Sequence, residues 1–313
     1  MSDCKKNAGI GGQAVIEGIM MRSQERYAMA VRNPKKEIVI VKDELPIKER
    51  SALLKLPIVR GVVALIESMV LGLKLMTKSA EIALEDTEQE EPSKFEKWLE
   101  DKLGDKLADV TIYVSVAISL VLGMGLFMLL PAFIASFTNP LIGENTWALG
   151  IIEGLLRISI LVAYIFAISR MKDIQRLFQY HGAEHKCINC IEDERELTVE
   201  NVSQCSRLHK RCGTSFLLFV MVISMITFFF VRTDVVLIRF GMRIVLVPLI
   251  AGLSYEVIRW AGRSDSRFVK LVSVPGMWLQ RLTTKEPDEA QIEVAIAAVK
   301  EVLDEESEPH AAE

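Results

Sequence analysis

His181, Glu184 and His185 stand within twelve residues, QYHGAEHKCINC at 179–190, alongside Cys187 and Cys190. The run HGAEH matches H-x-x-E-H, the inverted form of the H-E-x-x-H zinc motif. On a helix, residues four apart share a face, so both imidazoles reach one metal. A glutamate beside the second histidine sits near the metal's open position, where it takes a proton from a bound water. Zinc lowers the pKa of that water toward about 7, which makes hydroxide available at neutral pH. Three of the chain's four histidines, His181, His185 and His209, fall in one segment.

A divalent metal, zinc above all, needs more ligands than two histidines. CSRLHKRCGT at 205–214 offers Cys205, His209 and Cys212. Glu256 is a further candidate. A second scheme competes with this one. Cys187-x-x-Cys190 with His209 and Cys212 makes a closed Cys₃His structural site, and His181 and His185 become bystanders. In a third scheme there is no metal, and the histidines cap helices and contact lipid head groups.

The element that must position HGAEH begins upstream. RMKDIQRLFQY is amphipathic, and Ile174, Phe178, His181 and His185 line up if its helix continues. Gly182 weakens such a helix by about 1 kcal/mol relative to Ala, which leaves a break there open.

That helix follows a long apolar run. The chain has 313 residues, half of them hydrophobic, with a net charge of −4. Its mean hydropathy of +0.28 is high for a soluble protein, and with a pI near 5.8 it has no basic surface for nucleic acid. Four runs, 109–131, 148–170, 215–231 and 234–258, approach the roughly 20 apolar residues of a membrane-spanning helix. The last two are joined by a very tight turn. The fold class expected is therefore mainly α, a polytopic helical membrane protein with four spans, a small N-terminal β-hairpin and cytoplasmic helices.

Lysine and arginine set the orientation. The loop ASFTNPLIGENT has neither, whereas 171–214 carries Lys172, Arg176, Lys186, Arg195, Arg207, Lys210 and Arg211. Both termini and the 171–214 segment are expected to face the cytoplasm. The first 30 residues lack the apolar stretch of a signal peptide. Thiols on the cytoplasmic side stay reduced, so Cys187, Cys190, Cys205 and Cys212 read as ligands or idle thiols rather than disulfides.

Three regions follow. Residues 1–93 hold a hairpin (YAMAVR, the turn-like NPKK, EIVIVKDEL), a helix over 57–84 and an acidic linker at 85–93. Residues 94–260 hold a short amphipathic helix at 94–107, the spans and the His/Cys segment. Residues 261–313 form a tail with a helix in EPDEAQIEVAIAAVKEVL and a disordered end. The 57–84 helix gathers its charges near one stripe and reads as interfacial or re-entrant rather than as a fifth span.

The spans also carry polar residues. Glu153 and Arg157 in the second, and Arg239 and Arg243 in the fourth, occupy matching depths of roughly 7 and 13 Å. An unpaired charge there costs about 2.5–3.5 kcal/mol. Glu153 is expected to pair with Arg239 or Arg243, with snorkelling arginines as the alternative. Ser115, Ser119 and Gly123 have the spacing of a close helix contact.

GGQAVIEGIMMRS at 11–23, HGAEHK at 181–186, RLHKRCGTSFL at 207–217 and PGMWLQRLTTKEPDEAQIEVAI at 275–296 together resemble the YqhQ family, over nearly the whole chain. This is a bacterial multi-span membrane family of unassigned function, often described as metal-dependent enzymes. By position, the resemblance implies His181, His185, His209 and Cys212 as metal ligands and Glu184 beside them as general base. Cys187 and Cys190 do not match it. Glu17 within GGQAVIEG is then either a ligand or base reaching back to the metal, or a turn acid capping a neighbouring helix. The expected reaction class is metal-assisted hydrolysis at the membrane surface. The alternatives are a non-enzymatic partner of an export or assembly complex with a structural metal, and a small-molecule transporter.

Overall fold

The computed structural model describes residues 10–23, 25–45, 51–85, 107–142, 146–210, 212–231, 236–261 and 266–304. The 94–107 helix up to its last residue, the acidic linker beyond residue 85, the tight turn at 232–235 and the last residues from 305 lie outside them.

Four strands, β1 (Gly11–Val15), β2 (Gly18–Arg22), β3 (Arg26–Arg32) and β4 (Ile38–Glu44), form an antiparallel meander in chain order. The β3–β4 hairpin is the one that alternation indicates. Its turn is closed by Asn33 N–H donating to the Glu37 carbonyl at 3.0 Å. The β1–β2 hairpin was not legible, and the reason is burial. Ile19 and Met21 face one hydrophobic core while Val15 and Met20 face another, so both sides of the sheet are covered and no polar alternation survives. Glu17 takes the left-handed conformation, φ 51°, at the turn between them.

Each face of the sheet has its own helices. Helix α1 (Val59–Ala83) lays Leu75 and Ile82 against Val15, Met20, Met29 and Val31. On the opposite face Tyr180 and Ala183 of α4 (Lys172–Glu192) meet Ile292 and Val299 of α9 (Glu289–Asp304). Helix α9 starts with a capping box: Gln291 N–H donates to Asp288 Oδ1 at 2.8 Å, and Asp288 N–H donates to Gln291 Oε1 at 3.0 Å.

The membrane-like part comprises α2 (Leu107–Met124), running on through a π-helical turn at Gly125–Leu129 into Leu130–Ser136, then α3 (Thr146–Ile168), α6 (Gly213–Phe229) and α7 (Val236–Ala261). Three stretches are long and apolar enough to cross a membrane: Tyr113–Ser136, Trp147–Ile168 and Ile238–Ala261. The third expected span is the shorter apolar helix Phe216–Phe229. Helix α1 is not among the candidates. It packs against α7, with Arg60 ion-paired to Glu256, and exposes Ile66, Met69, Val70 and Leu73.

Glu153 is buried and holds Arg243 by two contacts of 2.7 and 2.8 Å, so α3 and α7 are joined as their charges indicate. The same carboxylate holds Arg157 at 2.7 Å. Arg157 also donates to the Phe127 carbonyl in the π-helical turn at 2.9 Å and to Ser224 of α6 at 3.3 Å. The Ser115–Ser119–Gly123 stripe does not make the expected close contact. A Cβ on Gly123 would meet nothing within 4 Å, because α2 packs through its later turns.

Candidate metal centre

Helix α4 does not break at Gly182. It runs to Glu192 and carries both histidines on one face, ring centroids 4.4 Å apart. Gly182 is there for closeness. A Cβ at this position would lie 2.1 Å from the Lys285 carbonyl oxygen. The 283–287 segment, reached from α8 (Arg267–Thr283), thus lies directly on α4, and Lys285 N–H donates to the Phe178 carbonyl at 2.9 Å. Gly182→Ala is expected to destabilise the fold by about 1–3 kcal/mol through overpacking. The melting temperature of the variant checks this, and an unchanged value would contradict it.

His181 Nδ1 lies 2.8 Å from the Thr283 carbonyl oxygen. A carbonyl only accepts, so Nδ1 carries the proton and Nε2 keeps its lone pair. That Nε2 lies 3.2 Å from Cys212 Sγ, whose thiol proton it can accept. His185 Nδ1 donates in the same way to the Arg207 carbonyl at 2.6 Å, and among the described residues its Nε2 has no hydrogen-bond partner. Backbone carbonyls holding Nδ1–H are the outer-shell arrangement that fixes metal-ligating imidazoles. Cys212 caps α6, and its sulfur accepts Thr214 N–H at 3.3 Å. The ligand atoms of His181, His185 and Cys212 all lie within 4.8 Å of one another. Two imidazoles and a thiol are a donor set suited to zinc.

Glu184 is buried, and its carboxyl accepts the Gly12 backbone N–H. Burial pushes its pKa above the usual carboxylate range, against the pull of His181, His209 and Gly12. It lines a cavity of about 730 Å³ with His181, His185, Cys212 and the β1 residues Gly11–Ala14. A side chain on Gly12 would collide with Glu184, at 2.8 Å. At Gly12 the sheet thus packs directly on the histidine helix.

His209 lines the same cavity but is not brought into the ligand group. Its Nε2 is 3.2 Å from Glu192. Burial lowers its pKa, so the neutral ring donates a hydrogen bond there rather than forming an ion pair. Its backbone is gripped on both sides by Gln280, which accepts at 3.0 Å and donates at 2.8 Å. Cys187 and Cys190 point away from the centre into the core beneath α9, where burial raises both thiols, Cys190 to about 11. The structure therefore does not gather Cys187, Cys190, His209 and Cys212. Glu256 is taken by Arg60, and Glu17 by Arg176 and the Tyr180 hydroxyl.

Sequence reasoning missed the residues that hold the loop. Lys186 donates to the Ser203 and Cys205 carbonyls at 2.8 and 2.9 Å, and Asn189 to those of Ser206 and Leu208 at 2.6 and 3.1 Å. These contacts lay the end of the short helix α5 (Val199–Gln204) and the residues after it, to 208, along α4 and bring the Arg207 carbonyl to His185. Their signal was faint: polar residues at 186 and 189, three apart on a helix face.

The chain matches, over residues 56–305, the family described as proteins of unknown function, DUF1385. It is 39% identical to the uncharacterized protein YqhQ of Bacillus subtilis (strain 168) over 308 residues, which is 97% of this chain and 95% of that protein. No solved structure matches it. On a match that spans most of its length and a relative aligned nearly end to end, the chain belongs to the DUF1385 family.

Proposed function

We propose that this chain is a metal-dependent hydrolase of the bacterial inner membrane, with its site on the cytoplasmic face. In this reading α2, α3, α6 and α7 are four spans, and both termini lie in the cytoplasm. The observation that carries it is the convergence of His181, His185 and Cys212 next to a buried carboxyl in one cavity. Zinc held by these three would act as a Lewis acid and make water a nucleophile at neutral pH.

The chain's own residues supply the rest. Thr283 and Arg207 carbonyls fix both imidazoles in the ligating tautomer. Cys212 is positioned as the N-cap of α6, where its sulfur accepts Thr214 N–H. Glu184 takes the proton of the attacking water and returns it to the leaving group. Burial raises the Glu184 pKa, and a cation held by the neighbouring ligands would lower it again. Gly12 N–H holds the carboxyl in place.

Metal analysis of the full chain purified in neutral detergent tests the ligand set. About one zinc per chain is expected in the wild type. His185→Ala and Cys212→Ser should each fall below roughly a tenth of that, since three protein ligands are the usual complement of an open site. His209→Ala and the pair Cys187→Ala, Cys190→Ala should keep it. Retention in the first two, or loss in the cysteine pair, would overturn the assignment.

A further inference from the structure

The other end of the helical bundle carries a second site, one that owes nothing to the metal. Helix α6 starts at the metal centre and α7 returns antiparallel beside it, so the first turns of α7 lie at the opposite end from Cys212. A cavity of about 630 Å³ opens there between α7 and the π-helical part of α2. That volume lies within the usual range for a ligand pocket. Met128, Leu129, Phe133 and Phe240 form apolar walls, and Arg239 and Arg243 also line the cavity.

Arg243 is the informative residue. It is 6% exposed, and its two terminal nitrogens are used on Glu153. Its Nε has no hydrogen-bond partner among the described residues, so the guanidinium is under-satisfied where it is buried. The charges agree. Glu153 is one carboxylate shared by two guanidiniums, Arg157 and Arg243, so the buried triad carries a net positive charge in an apolar setting. The backbone beside it is irregular as well. The turn Gly125–Leu129 is π-helical, and a Cβ on Gly125 would meet nothing within 4 Å. Single π-turns concentrate at functional sites.

We propose that this cavity binds the phosphate head group of an anionic phospholipid, held by the charge of the Arg239 and Arg243 guanidiniums that line it. Arginine matches phosphate geometry, and the remaining charge of the triad is neutralised by one anion. The walls select an amphiphile over a free ion. Leu129 and Phe133 are at least half exposed on the side where lipid would lie, so acyl chains leave the cavity along them.

The experiment titrates delipidated full-length protein in neutral detergent with phosphatidylglycerol, and separately with phosphatidylcholine of the same chains and with inorganic phosphate. Bound lipid is counted by native mass spectrometry. The expected result is one tightly held phosphatidylglycerol per chain, at least tenfold preferred over phosphatidylcholine and not displaced by millimolar phosphate. Arg243→Gln should abolish the preference. Ala132→Trp fills the cavity without touching the charges, so it should remove the bound lipid even if the first variant folds poorly. Equal binding of the two lipids, displacement by inorganic phosphate, or an unchanged preference in Ala132→Trp would overturn the proposal.

Discussion

Glu184→Gln is expected to keep about one zinc per chain and to lower turnover about 100- to 10,000-fold, the range for a lost general base. The two halves of this result have separate causes. The ligand atoms belong to His181, His185 and Cys212, and none of them is changed. Glutamine has nearly the shape of glutamate, and its amide oxygen still accepts the Gly12 N–H. What it lacks is a site for a proton. Turnover is read on whichever internally quenched peptide or short-chain phospholipid the zinc-loaded wild type hydrolyses, and by complementation of a chromosomal deletion. Retained zinc with undiminished turnover and complementation would make the centre a structural staple.

The same substitution has a signature that needs no substrate. In the metal-free chain, burial holds the Glu184 carboxyl above its ordinary value of 4.5. Its folded-state pKa is then above the unfolded one, so its contribution to stability is complete below about 4.5 and is lost as pH rises through the raised value. In the presence of a chelator, wild-type stability should fall over that window relative to Glu184→Gln. Parallel pH profiles would show that this carboxyl is not held in a poorly solvated site.

Glu153→Ala is expected to cost about 3–5 kcal/mol, the usual penalty for removing one partner of a buried ion pair. Arg157 and Arg243 have side chains 4% and 7% exposed, and their guanidinium carbons lie 4.9 and 5.2 Å from the centre of the Phe228 ring. The ring face and the Phe127 carbonyl remain, but two cations face each other with no carboxylate between them. Replacing all three charged residues by leucine should recover much of the loss, because the penalty belongs to unpaired charge and not to missing volume. Thermal unfolding in detergent measures both variants. A single variant as stable as the wild type would mean that the triad is not buried as described.

The part of this chain legible in its sequence is the part governed by local spacing. HGAEH falls on one helix face because positions 181 and 185 are a turn apart, and a buried glutamate at 153 needs a cation at matching depth. What stayed hidden depends on segments distant in sequence. The carbonyls that set both histidine tautomers come from Thr283 and from Arg207, an arginine that sequence reasoning counted only as a charge. Gly12 matters because a strand and a helix 172 positions apart meet there. His209 has the residue type of a ligand and lies in the right loop, yet Gln280 and Glu192 turn it aside. The PGMWLQRLTTKEP stretch likewise carries no histidine or cysteine to mark it as part of a metal site. Its role emerges from Gln280 and Thr283 holding the two ends of the site.

X-ray absorption at the zinc edge of the loaded, full-length protein tests the central claim most directly. The account predicts two imidazole nitrogens at about 2.0–2.1 Å, one sulfur at about 2.3 Å and a further light-atom ligand. The sulfur signal should vanish in Cys212→Ser and persist when Cys187 and Cys190 are both replaced by alanine. A shell of three sulfurs, or one that loses its sulfur with Cys187 and Cys190, would contradict it.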